Sequence, residues 1–214
     1  MRVAVLADIH GNLPALEAVL DEVGADADRI VLLGDIASGP MPGETLDRLA
    51  ALGDRAVWVH GNGEREITGL EQRHSDLVTG LPMTVTLDVD GLGPTLFCHA
   101  TPRKDDEFVL VDSPMARWKE VLAGVTEEVV VLGHTHMPFD RLAGGHRVIN
   151  PGSVGMAYGP PGAYWALLGP TVQLMRTRYD VKAAAERLGD AAWAQEYVLH
   201  QYGDDEALEV FGKL

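Results

Sequence analysis

A chain of 214 residues, 46% hydrophobic and 23% charged, can bury a sizeable core and has the composition of an ordinary globular domain. Its formal charge of -15 repels polyanions, and its 17 lysines and arginines form no basic run, so an extended nucleic-acid partner is not expected. No apolar stretch approaches the roughly 18 to 20 residues that span a bilayer, and the single cysteine, Cys98, excludes an internal disulfide and cysteine metal clusters.

The N-terminal run MRVAVLADIHGN is interrupted by Asp8 and His10 before any small-residue cleavage site, so residues 2–7 read as a first strand and not a signal peptide. With one cysteine, that reading points to a reducing, cytoplasmic compartment and away from a membrane. Leu13, Leu16, Leu20 and Val23 recur at helical spacing and predict a helix over 13–24, with Asn12 as N-cap, Pro14 in the first turn and Gly24 at its end. Residues 29–33 form a second strand, 42–52 a second helix and 56–59 a third strand, an alternation that predicts a parallel sheet.

A helical stretch follows near 64–79. TVTLDV (84–89) and PTLFCH (94–99) flank a DGLG turn as a hairpin, a helix covers about 114–123, and EVVVLGH (128–134) is another buried strand. FDRLA with HRVIN, and YWALL with VQLMR, read as two further hairpins, so the second half is expected to be mainly antiparallel. From about 180 onward the pattern is helical. The expected fold is α/β: a four-layer αββα sandwich of two mixed sheets flanked by helices, with residues 1–178 as the domain and 179–214 as a helical extension packed on it. The C-terminal helices, with their tryptophans and tyrosines, are also the expected place for any homo-oligomer contact.

Five apolar strands each end in Asp, His or Asn. AVLADIH ends in Asp8-x-His10, IVLLGD in Asp35, VWVHGN in Asn62, TLFCH in His99, and VVVLGHTH in His134-x-His136. Sites in open α/β sheets gather at the carboxyl ends of strands, so these groups are expected to converge. They form an oxygen and imidazole set without thiolate, suited to Mn, Fe, Zn, Ni or Co, and seven ligands exceed the needs of one ion. Glycines 11, 34, 61 and 133 would let the backbone approach closely.

The order DIHGN, GD, GN, H, GHTH resembles the calcineurin-like metallophosphoesterase superfamily. DIHGNLPALEAVL and the later NPGSVG resemble its small bacterial and archaeal phosphodiesterase branch. The resemblance spans residues 1 to about 178. It implies two divalent metal ions, one held by Asp8, His10, Asp35 and His136, the other by Asp35, Asn62, His99 and His134, with Asp35 as the bridge. It also implies hydrolysis of a small phosphodiester by attack of a metal-bridging hydroxide, with Asp35, Asn62 and His99 central to catalysis. A phosphomonoesterase or protein phosphatase, and a non-catalytic scaffold like the retromer subunit, are the alternatives on the same fold. A complete ligand set argues against the scaffold.

One position departs from the pattern. Many members carry Gly-Asn-His-Asp or Gly-Asn-His-Glu, and their histidine is thought to protonate the leaving oxygen or hold the phosphate; here Gly63 takes its place. This absence favours a phosphodiesterase over a phosphatase. His60, His74, Glu64 and metal-bound water are the proton sources considered, with His74 expected on an exposed helix face. Arg103 is a candidate phosphate contact, or a partner of Asp105 or Asp106. Asn150-Pro151-Gly152-Ser153 reads as a turn lining the rim, and Cys98 as a core thiol.

Overall fold

Among the described residues the apolar runs become ten strands in two sheets. The computed structural model describes residues 1–65, 67–200 and 202–212. In the first half β1 (Val3–Leu6), α1 (Leu13–Val23), β2 (Arg29–Leu33), α2 (Pro42–Ala50), β3 (Ala56–Val59) and α3 (Gln72–Val78) alternate. After them come β4 (Thr84–Val89), β5 (Gly93–Cys98), α4 (Met115–Val121), β6 (Val129–Val131), β7 (Phe139–Ala143), β8 (His146–Asn150), β9 (Ala163–Leu168) and β10 (Val172–Thr177). The chain finishes with α5 (Val181–Leu188), α6 (Ala191–Ala194) and α7 (Asp204–Phe211).

One sheet has the order β10-β9-β1-β2-β3 and the other β4-β5-β6-β8-β7. Strands β1, β2 and β3 are mutually parallel, as their alternation with helices predicts. Alternate residues of β1 and β2 serve two layers. Val3, Val5, Val31 and Leu33 meet Phe97, Val129, Val131 and Ile149 of the second sheet, while Ala4, Leu6, Ile30 and Leu32 pack under Leu16 and Val19 of α1 and Leu46 and Leu49 of α2. Burial on both faces explains why these strands read as continuous apolar runs. On the far side, Leu96, Cys98 and Val130 pack against Trp118 and Val121 of α4, so Cys98 is a core thiol. Burial alone pushes that thiol well above its usual range.

The second half is mainly antiparallel, as expected, through β4 with β5, β7 with β8 and β9 with β10, but β5, β6 and β8 run parallel, with α4 as the crossover between β5 and β6. The helix expected over 64–79 splits into a single 3-10 turn, Asn62–Arg65, and the separate α3. The C-terminal extension is helical, as expected, in separate pieces. Gly189 ends α5 in the left-handed region at φ 72°, Asp190 then caps α6, a π turn covers Gln195–Leu199, and α7 starts afresh.

The parts of this extension pack in different places. Leu188, Ala194 and Val198 of α5, α6 and the π turn gather beside Met41, and Arg187 pairs with Glu17 of α1. Helix α7 goes elsewhere, placing Ala207 with Leu110 and Met137. Among the described residues no helix is long and apolar enough to cross a membrane.

Candidate metal centre

Backbone hydrogen bonds tie the loop that leaves β1 to that of β2, and the loop that leaves β6 to that of β5. Asp8 N–H donates to the Gly34 carbonyl at 3.2 Å, His10 N–H to the Asp35 carbonyl at 2.9 Å, and Gly133 N–H to the His99 carbonyl at 2.6 Å. The side chains tighten the weave: Asp8 Oδ2 accepts the His134 N–H at 3.0 Å, and Ser153 Oγ donates to the Asp8 carbonyl at 2.8 Å. A Cβ on Gly34 would lie 2.6 Å from His99 Nδ1 and 2.7 Å from Gly61 Cα, so this glycine is needed for the loops to meet.

Backbone strain marks the same place. The non-glycine residues with positive φ among those described are Asp8 (54°), His10 (49°), Asp35 (50°), His134 (66°) and His136 (58°). Each costs free energy that the surrounding structure must offset, and such residues cluster at functional sites. All five belong to the seven ligands proposed from sequence.

Donor atoms converge in two groups. Asp8, His10 and His136 bring one set of ligand atoms within 4.8 Å of one another, and Asp35, His99 and His134 bring a second. Asp35 faces both: its Oδ2 lies 3.8 Å from His10 Nε2 and its Oδ1 3.4 Å from His99 Nε2. Asn62 joins the second group, its amide oxygen 3.1 Å from His99 Nε2 and 3.0 Å from His134 Nδ1.

Three imidazoles are oriented by carbonyls. Nδ1 of His10 donates to Ser38 O at 3.2 Å and lies 3.0 Å from Ser38 Oγ; Nδ1 of His99 donates to Leu33 O at 2.7 Å, and that of His136 to Met156 O at 2.8 Å. These bonds fix the tautomer and leave each Nε2 as a lone pair aimed inward. His10 Nε2 and His136 Nε2 then face each other at 3.3 Å, lone pair to lone pair.

Such an arrangement fits a cation and little else. Asp8 Oδ1 and His134 Nε2 are buried without a hydrogen-bond partner. The Asn62 amide oxygen faces only acceptors: the two imidazole nitrogens and, at 3.1 Å, the carbonyl of Asp105. Turned over, its NH2 would donate to all three, which is the arrangement expected of an ion-free protein. Unpaired buried acceptors cost about 1–3 kcal/mol each, and a shared divalent ion would satisfy several at once.

The charges are interdependent. Burial would raise the Asp8 pKa, but the neighbouring His136, His99 and His10 outweigh it and hold Asp8 below the carboxylate range. Burial and His99 push His134 down to about 4, and burial and His136 lower His10, so both are neutral, as metal ligands must be. His99 moves the other way: burial disfavours its charged form, yet Asp35 and Asp8 raise its pKa.

The other residues singled out from sequence are placed as follows. Glu64 is no free acid; it is buried, and its carboxylate accepts the N–H groups of Asp35 (2.9 Å), Ile36 (2.7 Å) and Gly61 (2.8 Å). Burial, then the charge of Asp35, raises its pKa. His74 is buried, not exposed, and its Nε2 meets Asp47 Oδ1 at 2.9 Å, tying α3 to α2. Arg103 pairs with Glu107 and Glu120, not with Asp105, Asp106 or the site. It is Arg65 that reaches Asp105 and Asp106. His60 Nε2 lies 3.1 Å from Asp105 Oδ2.

Asn150 and Ser153 are part of the scaffold. Asn150 Nδ2 donates to Gly133 O at 2.9 Å and Thr135 Oγ1 at 3.1 Å, which holds the loop carrying His134 and His136. Sequence reasoning missed Ser38, which orients His10, and a set of aromatic rings beside His134 and His136. No local pattern announces either.

Comparison with known proteins agrees with this geometry. Residues 1–170 match the calcineurin-like phosphoesterase superfamily domain. The chain is 25% identical over 178 residues to phosphodiesterase YfcE of Escherichia coli, a match covering 78% of this chain and 87% of that one. The structure of a metallophosphoesterase from Sphaerobacter thermophilus superposes with a TM-score of 0.75 at 24% identity, over 92% of this chain and 98% of that one. Chaetomium thermophilum Vps29 shares the fold at a TM-score of 0.59 and 15% identity, over 84% and 89%.

Proposed function

The chain belongs to the calcineurin-like phosphoesterase superfamily, and from that premise we propose that its two donor clusters hold two divalent metal ions and that it hydrolyses a small phosphodiester. The observation that carries the reading is Asp35, whose two carboxylate oxygens face the two clusters separately. Asp8, His10, Asp35 and His136 would hold one ion, and Asp35, Asn62, His99 and His134 the other. Manganese is the ion we favour for this oxygen and imidazole set, with Fe, Zn, Ni or Co able to replace it.

Bound there, the ions would supply a water of lowered pKa and a Lewis-acidic clamp on the phosphoryl oxygens. The protein's own part is positioning. Carbonyls of Ser38, Leu33 and Met156 hold three imidazoles with the proton on Nδ1 and Nε2 turned inward, Glu64 fixes the loops bearing Asp35 and Asn62, and the buried setting strengthens every charge interaction. Asn62 adds a neutral oxygen to a site that already has two carboxylates.

Gly63 leaves the leaving-group proton to another donor. Glu64 and His74 are committed to structural bonds, which leaves His60 as the side chain we assign to this step. It stays partly exposed and borders the second cluster through Asp105, whose carbonyl faces the Asn62 amide. Activity on bis-p-nitrophenyl phosphate and p-nitrophenyl phosphate after reconstitution with Mn tests the proposal. Faster turnover of the diester supports it; activity confined to the monoester would contradict it. A cytoplasmic location and a small, soluble ester substrate belong to the same reading.

A further inference from the structure

We propose that Phe108, Tyr158 and Phe211 form a ring-binding subsite beside the metal centre, taking the planar aromatic group of a phosphate ester, such as a nucleobase. The inference rests on the phosphodiesterase reading and adds to it a substrate class and a role for the C-terminal extension. Phe108 lies 4.5 Å from the His134 ring, centroid to centroid, and Tyr158 lies 5.7 Å from that of His136. Phe211, from α7, joins them at 5.3 Å from Phe108 and 5.7 Å from Tyr158. Two distant parts of the chain thus each bring an aromatic ring against a candidate metal ligand, and a third, α7, adds Phe211 against both rings.

These rings differ from the core aromatics. Trp118 and Trp165 are fully buried, whereas Phe108, Tyr158 and Phe211 keep part of their surface in solvent. Helix α7 is anchored through Ala207 against Leu110 and Met137, and Tyr158 and Phe211 pack at the edge of the same cluster.

A cavity of about 430 Å³ is walled in part by two of the rings, Phe108 and Phe211. Its volume is in the range of small-ligand sites. Lys104, Arg117, Asp106 and Glu107 line it, with Arg117 paired to Glu107 at 2.7 Å, so its formal charges balance. A balanced cavity suits a neutral ring better than a second phosphate. Phe108, which walls this cavity, also meets His134, so one ring links the cavity to the second donor cluster. Glu206 and Glu209 of α7 are exposed, which favours a single ester over a polyanionic chain. Aromatic side chains bind planar groups by stacking without needing a hydrogen-bond code.

The test compares two substrates with one leaving group: the p-nitrophenyl ester of thymidine monophosphate and methyl p-nitrophenyl phosphate. Phe108→Leu and Phe211→Leu should each raise KM for the thymidine ester about tenfold, the scale of one lost stacking contact, and leave that for the methyl ester within about twofold. Phe108→Tyr should restore the wild-type value. Equal losses on both substrates would show that the rings only pack α7, and would overturn the proposal. A second readout needs no metal: saturation-transfer NMR of the metal-free protein with thymidine should show contact at the thymine ring, lost in Phe108→Leu. Absence of transfer in the wild type would also overturn it. Failure to hydrolyse any diester, with thymidine still bound, would instead count against the phosphodiesterase reading.

Discussion

Asp35 Oδ1 accepts the backbone N–H of Gly63 at 2.6 Å, so the residue that replaces the family's histidine orients the carboxylate shared by the two clusters. A Cβ built on Gly63 would lie 2.5 Å from Ser38 Oγ and 2.8 Å from Asp35 Oδ1. Ser38 therefore occupies the space that a side chain at this position would need, and it also contacts His10.

Restoring the histidine should then fail as a gain of function. Gly63→His, and even Gly63→Ala, should weaken Mn binding about tenfold or more by displacing Asp35 and Ser38, a cost in the range typical of overpacking. Calorimetric titration of each variant with Mn measures it, and Ser38→Gly in the Gly63→Ala background should recover part of the loss. Unchanged affinity in Gly63→Ala would show that the pocket has room.

Glu64 collects three backbone N–H groups from the loops that present Asp35 and Asn62. Glu64→Gln replaces one acceptor oxygen with a donor and should destabilise the metal-free fold by about 1–3 kcal/mol, the cost of unpaired buried groups. Urea unfolding reads that loss, and a parallel fall in Mn affinity is expected. A variant as stable as the wild type would contradict the role assigned to this carboxylate.

His74 separates a structural from a catalytic histidine. With its Nε2 on Asp47, His74→Gln should cost about 0.5–1.5 kcal/mol of stability, as one hydrogen bond does, and leave kcat unchanged. His60→Gln should do the reverse. It should lower kcat about a hundredfold for an alkyl leaving group, in line with lost general-acid help, while p-nitrophenolate departs nearly as before. Equal rates on both leaving groups would remove His60 from the reaction.

Acid stability has a visible local source. Hydrogen bonding from Arg103, then from Thr101, with the charge of Arg117, holds Glu107 at about 2 against the opposing effect of burial. A carboxylate lowered in the folded state contributes stability that is full above its unfolded pKa and is lost as pH falls through the folded value. Glu107→Gln should therefore flatten the pH dependence of the urea midpoint between about 4.3 and 2, with the smallest loss at the acidic end. Identical slopes in the two proteins would show that this cluster does not stabilise the fold.

The convergence of the seven candidate residues was legible because each follows an apolar strand, where side chains from neighbouring strands meet at the carboxyl edge of a sheet. The parallel sheet was legible from strand and helix alternation, but the parallel β5, β6 and β8 were not, since hairpin turns near β7 drew attention from the crossover through α4. Local pattern also gave no warning that five donors adopt left-handed backbone, or that His74, on a helix of seven residues, turns inward to Asp47. Long-range convergence was the least visible. Ser38 reaches His10 across 28 positions, and Phe211 arrives at Phe108 from the last helix.

The central claim is that Asp35 joins two metal sites. Elemental analysis after reconstitution with Mn and removal of free ion, on wild type beside Asp35→Asn, tests it most directly. The account predicts two ions per wild-type chain, with both metal content and diesterase activity reduced in the variant. A wild-type chain that retains no metal, or an Asp35→Asn chain that retains both ions, would contradict it.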